Sequence, residues 1–178
     1  MYRFAAASKF EPIVFGAAKP GSERQVSEWV QFMRQQGIRR VCCLLPHEQL
    51  TPYSDLLGSY RQEFGEDKVL WAPIKDFHLV EPETLTQRVL PFLAEAEQQQ
   101  ERVVVHCSGG VGRTGHILAA WLVFGRGLSN KEAIAAVRTT GRNPYEAAIA
   151  GVLVGKNPWK GVSELNALLN ACRQRSSE

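Results

Sequence analysis

Cysteine is scarce, with four among 178 residues, at positions 42, 43, 107 and 172. An adjacent pair and two distant singles make neither a disulfide framework nor a CxxC zinc pattern, which points to a reducing compartment. Long apolar runs are also missing. The longest, Ile117 to Phe124, is eight residues, against the roughly 18 that cross a bilayer. The opening MYRFAAASKFEP carries an apolar patch broken by Lys9 and Glu11, so it lacks a signal-peptide core. A soluble, cytoplasmic chain with no membrane partner is expected. Charge of one sign is not in excess either: 21 Lys+Arg against 18 Asp+Glu leave +3, too little for a nucleic-acid footprint. No repeat or low-complexity linker divides the chain. At 44% hydrophobic it supports one sizeable core, so residues 1–178 read as a single domain.

What is present is an alternation of strand and helix patterns. Pro12 to Ala17 reads as a strand, followed by a Lys19-Pro20-Gly21 turn. Ser22 to Gln25 then has the form of a capping box opening a helix with the stripe Val26, Trp29, Val30 and Met33. Ile38 to Leu45 is apolar enough for a strand covered on both faces, with Cys42 and Cys43 in the core. Thr51 to Phe64 has helical spacing, and Lys68 to Ile74 reads as a strand. Glu83 to Gln99 is helical but contains Pro91, which must kink or split it. Arg102 to His106 is a short strand, and Gly115 to Phe124 is a helix apolar all round and therefore buried. Ser129 with Glu132 forms a second capping box for a helix to Thr140. Leu165, Leu168, Leu169 and Cys172 mark a C-terminal helix as a core face. This order predicts an α/β fold with a mostly parallel central sheet flanked by helices, and a site at the carboxyl ends of the strands, after Val105.

At that point the chain reads HCSGGVGRTG, from His106 to Gly115. Three glycines, Gly109, Gly110 and Gly112, let the backbone of Ser108 to Arg113, including Val111, fold into a nest of inward N–H groups. The following helix N-terminus adds partial positive charge, so the segment suits a phosphate-sized dianion. Thiols placed at a helix N-terminus beside arginine ionise near neutral pH, which would make Cys107 a thiolate and a nucleophile. Arg113 supplies a planar fork for two phosphoryl oxygens. Thr114 can donate to the sulfur and ease thiolate departure, and His106 can fix the loop through its ring nitrogens.

The plainer readings differ by residue. A cysteine after a buried strand is usually a small hydrophobe; that reading suits Cys42, Cys43 and Cys172, with redox partnership to Cys107 left open, but not Cys107 itself. His47 and His78 have no evident partner. Phe77 and His78 either wall an entrance or pack on their own domain. Gly110 to Gly115 is also a literal G-x-G-x-x-G, the dinucleotide-binding fingerprint. That alternative requires an acidic residue closing a following strand, and none is patterned there.

HCSGGVGRTG resembles the signature of the cysteine-dependent protein tyrosine phosphatases. Chain length and the Ile74-Lys75-Asp76-Phe77 segment, with Asp76 31 residues before Cys107, make it most similar to the small atypical dual-specificity phosphatases over roughly residues 16–138. The resemblance implies their fold and a cysteinyl-phosphate mechanism without metal or cofactor. It also implies that Asp76 is the general acid on a mobile loop; the residues alone leave Asp76 open as a turn former. Asp55 and Asp67, the other aspartates, fall in a helix and a turn. Arg142-Asn143-Pro144-Tyr145 lies near the place of the family's water-positioning loop, with Asn143 as candidate, though the segment departs from the usual pattern. The loop carries no lysine of the phosphoinositide type, and the extra histidine and asparagine of RNA triphosphatases are missing. A monomer acting on a phosphoprotein or phosphopeptide, phosphotyrosine favoured, is the implied state. A catalytically weak phosphate-binding module of the same fold is the alternative.

Overall fold

Near-continuous apolar strands need cover on both faces. In the computed structural model, which describes residues 2–146 and 158–174, five strands form one sheet: β1 (Ala5–Ala6), β2 (Val14–Ala18), β3 (Ile38–Cys43), β4 (Val69–Trp71) and β5 (Arg102–Cys107). Their spatial order is β1-β2-β5-β3-β4, parallel throughout except for the β1–β2 pair. This is the α/β, mostly parallel arrangement the sequence implies. The antiparallel edge strand β1 has only two residues and leaves no periodic trace in the sequence.

Pleat alternation assigns each strand residue to a layer. Val103, Val105 and Cys107 face one core together with Cys42 and Leu44, and Val104 faces the other with Val41, Cys43 and Leu45. The second layer is closed by α1 (Val26–Gln35) and α3 (Leu56–Phe64), through Trp29, Met33 and Tyr60. The first is closed by α5 (Leu90–Gln98), α6 (Gly112–Arg126), α7 (Asn130–Thr139) and α8 (Pro158–Gln174). Helix α6 is buried continuously from Gly112 to Val123 and stops where Gly127 turns left-handed, as an all-apolar central helix must.

Several local expectations change. Ser22 makes no side-chain cap; residues 23–25 form a 3-10 turn whose bond from Gln25 N–H to the Ser22 carbonyl, 3.0 Å, uses the amide that a serine hydroxyl would have taken. The Ser129–Glu132 box is formed. Thr51 to Phe64 is not one helix: a short α2 (His47–Leu50) precedes a loop, and Asp55 starts α3 by accepting from Gly58 N–H at 2.8 Å. The Pro91 conflict is resolved by splitting, with α4 (Pro82–Thr84), a π turn over Leu85–Val89, and then α5, whose first turn accommodates a proline without an N–H.

Candidate active site

The parallel strands end at one edge, and every residue of the site leaves from it. Strand β5 is held on both sides there: Leu44 N–H donates to the His106 carbonyl and Lys19 N–H to the Cys107 carbonyl, each at 2.9 Å. The chain must then reverse into α6 within four residues. Gly110 makes that turn at φ +69, and a Cβ there would sit 2.6 Å from the carbonyl carbon and oxygen of Ala17 and 2.7 Å from Ala18 N. Only glycine fits both the conformation and the space. The turn aims Gly110 N–H at Cys107 Sγ, 3.2 Å away. No side chain caps α6 at Val111, so the first-turn amides face the loop unspent, available to an anion. Cys107 is buried beneath them.

Arg113, 4% exposed, joins this loop to the segments that follow β3 and β4. Nη1 donates to Gln49 Oε1 at 3.0 Å and to the Ile74 carbonyl at 3.1 Å, while Nη2 pairs with Asp76 Oδ1 at 3.3 Å. Gln49 completes a bridge by donating from Nε2 to Asp76 Oδ2 at 3.5 Å. Asp76 is thus brought to Arg113 on a half-exposed loop. The next residue, Phe77, holds a left-handed φ of 58 and is 55% exposed; such backbone strain in a non-glycine residue collects at working loops. Its N–H donates to Asp76 Oδ1 at 3.2 Å, and His78 Nδ1 lies 2.8 Å from the Asp76 carbonyl.

Helix α6 anchors the far end of the Asp76 loop. His116, fully buried, accepts from Val80 N–H through Nε2 at 3.1 Å, which leaves the proton on Nδ1 to donate to the Gly112 carbonyl at 3.3 Å. Burial pushes this imidazole down to about 4, so it is neutral and its tautomer fixed. The local pattern gives no sign of Gln49 as a site residue; for His116 the available signal is a histidine inside an otherwise apolar helix.

The remaining site candidates are placed as follows. Thr114 is buried with Oγ1 unpartnered. His106 is buried against Trp29 and Tyr60, ring centroids 5.2 and 5.5 Å away. Burial pushes the ring down to about 3, and a hydrogen bond to the Cys107 backbone opposes that shift. The His106 carbonyl, accepting from Leu44 N–H, holds the end of β3. Asn143 spends its side-chain oxygen on Tyr145 N–H at 3.3 Å, in a turn that packs on Gly115. In the same turn Glu146 lies against Gly112. Cys42 and Cys43 are buried on opposite faces of β3; burial pushes Cys42 up and Cys43 up to about 12. The dinucleotide reading loses its support, since among the described residues no strand follows β5.

A nest of amides over a buried thiol, with an arginine and a carboxylate alongside, is a device for holding a dianion against sulfur. The dual specificity phosphatase catalytic domain matches residues 23–148. The chain belongs to that family. Over 84 residues it is 35% identical to the dual specificity protein phosphatase Mpk3 of Drosophila melanogaster, a match covering 47% of this chain and 20% of that protein. Among solved structures, Tk-PTP in the active form aligns with a TM-score of 0.67 at 28% identity, over 90% of this chain and 97% of the other. PTPMT1 in complex with PI(5)P shares the fold, with a TM-score of 0.72 at 14% identity over 97% and 98% of the two chains. Family membership accounts for the sheet order and for the loop between β5 and α6.

Proposed function

We propose that this dual specificity phosphatase domain hydrolyses phosphomonoesters through a cysteinyl-phosphate, without a metal, at Cys107. The observation that carries the reading is the 3.3 Å pairing of Asp76 with Arg113, which brings a carboxyl group beside the phosphate fork across 37 residues of sequence. The substrate phosphate occupies the 108–113 amides and Arg113, which exchanges its contact to Gln49 for phosphoryl oxygens. Cys107 sulfur attacks phosphorus, the P–O bond to the leaving group breaks, and Asp76 gives that oxygen its proton. Water then attacks the cysteinyl-phosphate, the ionised Asp76 takes its proton, and the thiolate leaves with inorganic phosphate. Thr114 Oγ1, buried and unpartnered, is the donor that eases this departure. The negative charge on the phosphoryl oxygens in both steps is met by fixed dipoles and a guanidinium already in place.

Family membership supports a phosphoprotein or phosphopeptide as substrate, and we infer a preference for phosphotyrosine from the mouth of the site. The exposed Phe77 next to Asp76 offers an aromatic face for a phenyl ring at the mouth. Turnover of p-nitrophenyl phosphate in EDTA by the wild type and not by Cys107→Ser supports thiolate catalysis, and a phosphopeptide panel then ranks substrates. A folded protein that binds vanadate without turnover overturns it in favour of a phosphate-binding module.

A further inference from the structure

Arg142 follows α7 and is 3% exposed, yet every acceptor it meets is neutral. Nη2 donates to the carbonyls of Gly16 at 2.5 Å, Arg3 at 2.9 Å and Ala5 at 3.3 Å. Nη1 donates to the Thr140 carbonyl at 2.8 Å and to its Oγ1 at 3.2 Å. Nε is buried with no partner. Among the described residues no carboxylate pairs with it. The contrast with Arg40 and Arg126 is sharp: each of these is held by two glutamates. A buried charge without a counter-charge is costly, and a clamp on the β1–β2 edge alone requires only neutral donors.

Its position supplies the missing anion. A Cβ on Gly16 would lie 2.6 Å from Arg142 Nε and 2.7 Å from Thr114 Cγ2, so the guanidinium sits beside the residue after Arg113. Gly16 pairs with Val105, and two residues on Ala18 pairs with Cys107. Burial pushes Arg142 down to about 10, and negative charge on Cys107 pulls it back up.

We propose that Arg142 is a positioning residue for the Cys107 thiolate, a buried counter-charge behind the phosphate loop that stays with the sulfur while Arg113 serves the phosphoryl oxygens. The proposal rests on the phosphatase reading above. Other groups around the sulfur do not take this part. His106 is neutral, and burial pushes Cys43 up to about 12. Lys19 Nζ is bonded to Tyr53 OH at 2.6 Å, the charge of Arg113 is shared with Asp76, and Glu146, against Gly112, is itself acidic.

The test is the rate of Cys107 alkylation by iodoacetamide against pH, in wild type, Arg142→Gln and Arg142→Lys, with Cys107→Ser giving the background of the three buried thiols. An opposite charge nearby moves a titration by about one unit or more, so Arg142→Gln is expected to raise the midpoint by about that much and slow alkylation near pH 6 about tenfold. Arg142→Lys, which keeps the charge and loses the fork, is expected to stay near wild type. An unshifted midpoint in folded Arg142→Gln overturns the proposal, as does a lysine variant shifted as far as the glutamine one. If Arg142→Gln does not fold, the lysine variant decides, since a rise of a full unit there is fatal. The wild-type curve tests the underlying reading separately: a midpoint near the free-thiol value of about 8.5 overturns thiolate catalysis itself.

Discussion

Gly110→Ala asks one backbone position to accept a methyl group that is wrong in two ways. At φ +69 an L side chain meets its own carbonyl, which costs roughly 1–2 kcal/mol. The methyl would also lie 2.6 Å from the Ala17 carbonyl, and the neighbours are backbone atoms of β2, fixed by pairing with β5. Overpacking of that kind costs about 1–3 kcal/mol, so the loss is about 2–5 kcal/mol in total. For a chain of this size that lowers the melting temperature by at least about 4 °C. The same displacement pulls Gly110 N–H from the Cys107 sulfur, and removing one preorganised donor slows acyl- and phosphoryl-type chemistry about 10²-fold or more. Gly109→Ala is the internal control, because a methyl there meets nothing within 4 Å. It is expected to melt at or slightly above the wild-type temperature. Thermal melts and p-nitrophenyl phosphate turnover on both variants check the pair. Equal stability and activity for the two alanines would refute the account of the loop.

Asp76→Asn is expected to cut turnover by about 10²–10⁴ while vanadate affinity holds, because the loop amides and Arg113 remain; turnover within a few-fold of wild type would move the acid elsewhere. Gln49→Glu replaces a neutral acceptor 3.0 Å from Arg113 Nη1 with a charged competitor for the same fork. Vanadate affinity is expected to fall about fivefold, the difference of about 1 kcal/mol between neutral and charged hydrogen bonds, and isothermal titration reads it directly. His116 and His106 titrate near 6.5 when unfolded and are held down to about 4 and about 3 when folded. Below about 6.5 the unfolded chain takes up their protons first, so stability falls by about 1.4 kcal/mol per pH unit for each. Melting temperatures measured from pH 7 to 4.5 are expected to drop accordingly, and His116→Gln, which can keep both hydrogen bonds, is expected to flatten the slope by about half. An unchanged slope would show that His116 is not the neutral link described.

The parts of this molecule that a sequence displays are those whose physics is local. The 107–113 loop is written in consecutive residues because one turn must serve as nest, helix start and strand exit at once, and three glycines leave few alternatives. The buried α6 and the stripe of α1 are periodic for the same reason: their neighbours impose a face. Gln49, His116 and Arg142 are different. Each reaches the site only after β2, β3, β4 and β5 have aligned their carboxyl ends, and nothing in the residues beside them encodes the partner. His47-Glu48-Gln49 reads as an ordinary polar turn, while Arg142 shares a segment with Asn143, whose side chain is spent on its own turn. That no carboxylate among the described residues pairs with Arg142 is visible only in three dimensions. A cation so placed is stabilised by the thiolate it faces, so its burial costs the folded protein least when Cys107 is ionised. The melting temperature of the wild type is therefore expected to gain on that of Arg142→Gln as pH rises through the Cys107 midpoint, because a thiol held below its unfolded pKa adds stability once it ionises in the folded state; a difference between the two that is the same at every pH would refute the coupling.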